Sequence, residues 1–200
     1  MKTDIILAGV GGQGILSIAN VIGIACLKDN LYLKQAEVHG MSQRGGDVQS
    51  NLRISDSPIA SDLIPYENAD VIISLEPMES LRYLPYLSKN GWVVTNINPF
   101  VNINNYPDMK KVMQELEKID NLVALDMDKI AKDLGSPRSS NMVLLGASSP
   151  FLNLPIELLE NGIKQFFEGK GDKITEMNIK SFYAGREESL MFIKERKIAL

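Results

Sequence analysis

Short apolar runs of strand length alternate along this chain with longer segments whose apolar residues recur at helical spacing. The first run, Asp4-Ile5-Ile6-Leu7-Ala8, enters a glycine cluster and predicts a strand. Residues 15–27 follow with the apolar density of a helix buried against a sheet, and residues 32–38 read as a second strand. A polar loop with three glycines comes next, over 39–47. Residues 48–54, with imperfect alternation at Val48, Leu52 and Ile54, predict a half-exposed strand. Residues 70–75 form a near-continuous apolar run, as a strand buried on both faces requires.

Pro77 opens a predicted helix through about Leu87, with Glu76 and Glu79 near its positive end and Gly91 closing the segment. Residues 92–96 and 122–125 predict two more strands, separated by an amphipathic helix over 107–119. A short helix over 127–134 is closed by Gly135, and residues 139–147 are mostly apolar. An amphipathic helix over 155–167 takes Gly169 as its expected C-cap, and a last helix begins at Asp172 and runs towards Arg196. This alternation predicts one domain over residues 1–200. Its expected fold is an α/β, Rossmann-like three-layer sandwich, a largely parallel sheet with helices on both faces.

Composition narrows the function classes. The net charge is −4, and the 21 basic residues form no cluster along the chain, so nucleic-acid binding has no electrostatic footprint. The uncharged stretch 5–27 is too interrupted by glycines, Gln13, Ser17 and Asn20 to read as a membrane span. No signal-peptide pattern precedes it, so a cytoplasmic protein is expected. Cys26 is the only cysteine. It lies in an apolar helix segment, which predicts a small buried thiol. One cysteine can form no internal disulfide and cannot supply the four thiolates of an iron–sulfur cluster.

Gly9, Gly11 and Gly14 have the G-x-G-x-x-G spacing that opens a βα unit and can cradle a phosphate. Glycine lets the backbone take φ > 0, and the amides that start the next helix favour an anion. An empty strand-to-helix turn satisfies the same pattern. Glu37, near the end of the second predicted strand, could hold a ribose as a dinucleotide site requires, so a free-standing dinucleotide-binding protein is the alternative. His39 is the only histidine. With no nucleophile elbow present, a hydrogen-bonding role is expected for it, with no catalytic residue and no metal ligand in the chain. Arg44, flanked by Gly45 and Gly46, could clamp a phosphate or carboxylate, or pin its own loop. Gly171-Asp172-Lys173 begins like a diphosphate–magnesium motif and does not continue as one.

Three stretches together carry a resemblance. They are Gly9-Val10-Gly11-Gly12-Gln13-Gly14, the segment Glu37-Val38-His39-Gly40-Met41-Ser42-Gln43-Arg44-Gly45-Gly46, and residues 135–147; the closing segment 178–185 also fits. The chain resembles the gamma-type subunits of the 2-oxoacid:ferredoxin oxidoreductases, above all the beta subunit of the indolepyruvate branch. The resemblance implies a complex that converts an aryl 2-oxoacid, coenzyme A and oxidised ferredoxin into acyl-CoA, carbon dioxide and reduced ferredoxin. It implies that thiamine diphosphate, magnesium and iron–sulfur clusters sit in a partner alpha subunit, and that this chain borders the coenzyme A side. Gly9, Gly11, Gly12, Gln13, Gly14, His39, Ser42, Arg44, Gly45 and Gly46 are then expected to bind the acyl acceptor or the partner's backbone rather than NAD.

Overall fold

The computed structural model describes residues 1–39, 45–101 and 103–199, and for 39 and 197–199 the backbone alone. In chain order the elements are β1 (Lys2–Val10), α1 (Ile15–Lys28), β2 (Tyr32–His39), β3 (Asp47–Ser55), β4 (Ala69–Ser74), α2 (Pro77–Arg82) and β5 (Leu87–Asn96). Then come α3 (Met109–Glu117), β6 (Leu122–Leu125), α4 (Met127–Asp133), α5 (Ser140–Ser148), α6 (Ile156–Phe167) and α7 (Asp172–Ala199).

The six strands form one sheet in the order β2-β3-β1-β4-β5-β6. The pairs β1–β4, β4–β5 and β5–β6 are parallel, and β3 runs antiparallel to both of its neighbours. The sheet is therefore mostly parallel, with helices on both faces. The period-2 alternation of strand side chains feeds two cores. Ile5, Leu7, Val71 and Ile73 pack on one face with residues of α1 and α4–α7, while Ile6, Ala8, Ile72 and Val93 pack on the other with residues of α2 and α3. The second face is thinner over β2, where Lys34 and Val38 are exposed.

Several helix ends follow from capping chemistry. Glu76 caps α2, Asp108 caps α3 and Asp126 caps α4, each side chain accepting a backbone N–H of the first turn. Three expected boundaries are corrected. The helix opened by Pro77 stops at Arg82, and Leu84–Tyr86 is a 3₁₀ turn running straight into β5. Pro85 lacks an N–H and disfavours helical geometry in the residue before it, which explains the early stop. Gly91 does not close a helix: it lies inside β5, where a Cβ would meet the Ala69 carbonyl oxygen at 2.7 Å. Likewise Gly169 is not the reversal after α6. That role falls to Gly171, with φ +92°, following a 3₁₀ turn over Glu168–Lys170.

The apolar stretch 139–147 becomes α5, buried from Asn141 to Ser148. It crosses α7 so closely that a Cβ on Gly146 would sit 1.8 Å from the Phe182 carbonyl oxygen, and one on Gly185 would sit 1.9 Å from that of Val143. Ser139 Oγ and Ser181 Oγ lie 2.6 Å apart across the same crossing. Cys26, on the buried side of α1, is fully buried, and burial, with Asp29 nearby, pushes its thiol up to about 12, an inert packing group. Among the described residues no helix is long and apolar enough to cross a membrane.

Candidate functional site

β1 and β4 are parallel neighbours whose following helices go to opposite faces: α1 joins the core containing Leu7, and the segment after α2 joins the one containing Ile6. This is a topological switch point, and in open α/β sheets ligands bind in the crevice outside the carboxyl ends of such strands. The glycine turn lies at that place.

Gly12 and Gly14 take φ of +104° and +81°, a backbone that only glycine adopts readily. The turn is held by its own glutamine. The Val10 N–H donates to Gln13 Oε1 at 2.8 Å, and Gln13 Nε2 donates to the Leu75 carbonyl at 3.1 Å, so one side-chain amide spans the ends of β1 and β4. A Cβ at Gly9 would come within 3.1 Å of Gln13 Oε1, so Gly9 makes room for the strap. Gly11 N–H donates to the Gly46 carbonyl (2.8 Å), Gly45 N–H donates to the Gly11 carbonyl (3.2 Å), and Gln13 N–H returns to the Val10 carbonyl (3.1 Å). Among the described residues the Gly12 and Gly14 amides have no such partner, and they remain as donors at the start of α1.

The structure thus brings Gly9, Gly11, Gly12, Gln13, Gly14, Gly45 and Gly46 together, the last two by extending the β1–β3 ladder past its final pair, Val10 and Asp47. The backbone of His39 pairs with Val48 in the β2–β3 ladder. Ser42 and Arg44, with the side chain of His39, lie outside the described residues. Glu37 is on β2, which β3 separates from β1. Two strand spacings amount to about 9.6 Å, so Glu37 is not beside the turn as a ribose-binding acid would be.

Sequence reasoning gave several neighbours no place at this site. Asn141, in the first turn of α5 and 8% exposed, donates from Nδ2 to the Gly14 carbonyl at 3.2 Å. It would stand only 2.9 Å from a Cβ at Gly14, so the turn and α5 are fitted to each other. On the β4 side, Glu76 is fully buried. It accepts the Glu79 N–H at 2.8 Å, and the Tyr106 hydroxyl donates to its other oxygen. Glu79 is 2% exposed and holds Arg82 through two bonds of 2.8 and 3.2 Å.

Burial raises the Glu79 carboxyl above its usual range. Arg82 pulls the other way, and the charges of Glu76 and Asp47 push further up. Burial and the bond to Glu76 raise the Tyr106 hydroxyl, which therefore stays protonated. The acidic spacing Glu76-Pro77-x-Glu79 was visible as a helix-start signal, but nothing local placed Tyr106 against it. This wall can orient and hold protons, yet it presents no nucleophile. Among the described residues no group of three or more His, Cys, Asp or Glu could hold a metal ion.

Comparison with known proteins agrees with this architecture. A family model described as pyruvate ferredoxin/flavodoxin oxidoreductase matches residues 4–188. The chain is 35% identical to the indolepyruvate oxidoreductase subunit IorB of Archaeoglobus fulgidus, over 95% of this chain and 96% of that one. Among solved structures it is similar to the gamma subunit of a keto/oxoacid ferredoxin oxidoreductase from Geobacter sulfurreducens, with TM-score 0.70, 21% identity, and 94% and 99% of the two chains covered. It is also similar to the 2-oxoglutarate:ferredoxin oxidoreductase of Magnetococcus marinus, solved with 2-oxoglutarate, coenzyme A and succinyl-CoA bound, with TM-score 0.74 and 22% identity. That likeness covers 95% of this chain but only 31% of the larger one. At these identities the two structures share the fold.

Proposed function

The chain belongs to the pyruvate ferredoxin/flavodoxin oxidoreductase family, and we infer from this that it serves, as one unit over 1–200, as the gamma-type subunit of a cytoplasmic complex acting on aryl 2-oxoacids of the indolepyruvate kind. The observation that carries this reading is the end-to-end likeness to an indolepyruvate oxidoreductase subunit. The complex would oxidatively decarboxylate the 2-oxoacid, pass the acyl group to coenzyme A and reduce ferredoxin.

The residues of this chain do not fit the redox groups of such a reaction. Its one cysteine is buried in the core, and iron–sulfur clusters need several thiolates. The described residues likewise form no carboxylate or histidine group suited to the magnesium of thiamine diphosphate. Those groups belong, in this reading, to a thiamine-binding, iron–sulfur alpha subunit. This chain supplies a wall on the acyl-acceptor side. Gly12 and Gly14 offer amide donors, Gln13 holds the ends of β1 and β4 at a set separation, and Ser42, Arg44 and His39 are assigned to the same rim.

The test is reconstitution. The isolated chain should give no arylpyruvate-dependent ferredoxin reduction, and mixing with the partner subunit should restore it. Reduction by the isolated chain would overturn the reading, as would tight binding of NAD to the chain alone.

A further inference from the structure

The connection from β5 to α3, residues 97–108, leaves the same carboxyl edge of the sheet as the glycine turn. Its tip is apolar. Phe100 (41% exposed), Val101 (66%) and Ile103 (42%) lie within four positions. Among the described residues no other four consecutive positions expose three large apolar side chains. Residues 90–107 also carry no charge, in a chain of which 23% is charged. A contiguous apolar, uncharged protrusion of this kind marks a surface that another molecule covers.

The tip is held from both ends. On one side Asn98 Nδ2 donates to Asp126 Oδ1 at 2.6 Å and to Asp128 Oδ2 at 3.1 Å, and Asn96 Nδ2 donates to the same Asp128 oxygen at 2.9 Å. Asp126 is also the N-cap of α4. On the other side the Tyr106 hydroxyl donates to Glu76, the fully buried N-cap of α2. The loop is strung between the starts of two helices. Its conformational entropy is therefore lost on folding and not again on association.

The anchors select the occupant. Each ends on a carboxylate, and among the described residues Glu76, Asp126 and Asp128 are in no ion pair. In a two-fold contact between copies the same patch faces itself, so Asp126 and the exposed Asp128 would meet their own equivalents. The negative surface of a membrane would meet the same acids. A different protein chain can instead offer an uncharged apolar recess with basic residues at its edge. The loop is also continuous with the wall already described: Tyr106 holds Glu76, and the adjacent Leu75 carbonyl accepts the Gln13 amide.

We propose that Phe100, Val101 and Ile103 are a preformed docking loop that seats in an apolar, basic-rimmed recess of the thiamine-binding partner subunit, with the Tyr106–Glu76 bond as the latch that sets its position. This rests on the subunit role proposed above.

Sedimentation velocity and calorimetry on the full chain mixed with the purified partner subunit read the contact directly. Replacing all three tip residues, Phe100→Ser, Val101→Ser and Ile103→Ser, should weaken association about a hundredfold, as loss of a buried apolar anchor does. Tyr106→Phe keeps the ring but frees the loop, and should weaken association about tenfold. The three tip positions are exposed, so the triple variant should keep the wild-type circular dichroism and melting temperature. Leu190→Ser and Met191→Ser, exposed apolar positions on α7, should leave association unchanged. Equal affinity of the triple variant would overturn the proposal, as would equal weakening by the α7 variants or no binding of the wild-type chain to the partner. Dimerisation of the wild-type chain alone that the triple variant abolishes would give the loop to a second copy and overturn it too. A complex that assembles through the loop but reduces no ferredoxin with any arylpyruvate would fail the proposed function and leave the docking loop standing.

Discussion

At the β1–α1 turn, Gly12 and Gly14 hold φ of +104° and +81°, and a Cβ on Gly12 would meet nothing within 4 Å. At the α5–α7 crossing, Gly146 and Gly185 lie within helices, yet a Cβ on either would fall less than 2 Å from a carbonyl oxygen of the other helix. The first region needs glycine for conformation and the second for space. A conformational need is a property of a few adjacent residues. A spatial need arises between residues some forty positions apart, and it binds two helices into one layer under the sheet.

The largest effect should come from the crossing. Gly146→Ala has to push apart two backbones, and overpacking of this kind costs about 3 kcal/mol or more. Gly12→Ala, strained but uncrowded, should cost about 1–2 kcal/mol. Urea unfolding of the two variants checks the ranking, and equal losses would erase the distinction between space and conformation.

Next is the glutamine strap. Gln13→Ala removes both bonds that tie β1 to the end of β4, with an expected loss of about 1–3 kcal/mol. Gln13→Glu keeps an acceptor for Val10 but sets a carboxylate against the Leu75 carbonyl, so it should not restore stability. Full recovery by Glu, read from the urea midpoint, would mean that the strap is not what closes the turn.

The smallest effect concerns pH. The folded state holds the Glu79 proton more tightly than the ordinary value of 4.5. Between 4.5 and the raised value the native state binds more protons than the unfolded one, so stability falls as pH rises through that window. Glu79→Gln should remove this component, and melting temperatures of the variant should decline less than wild type from pH 4.5 towards 7. Parallel pH profiles would show that the carboxyl is not held up by its surroundings.

Much of the fold was legible because its signals are local. The strand over Leu122–Leu125, the helix closed by Gly135 and the capping acids around Pro77 all came from neighbours in sequence. The glycine turn was legible for the same reason. The strand order was not. The insertion of β3 between β1 and β2 depends on pairing that no period reports, and it moved Glu37 away from the turn. The reversal at Gly171 was missed because two glycines lay two positions apart and only backbone geometry distinguishes them.

The candidate site divides along the same line. Gly9, Gly11, Gly12, Gln13 and Gly14 are contiguous, and their strand-to-helix turn could be read from the order of apolar and glycine positions alone. Asn141 comes to the turn, and Tyr106 to Glu76 beyond the end of β4, from distant segments. Their spacing along the chain carries no sign of meeting. Local backbone preference acts over a few residues and is written in sequence order, whereas the convergence of these side chains follows from how the helices pack. The sequence by itself determined that a strand would break into a glycine turn and a helix, and the packing of α5 and α7 decided what stands around it.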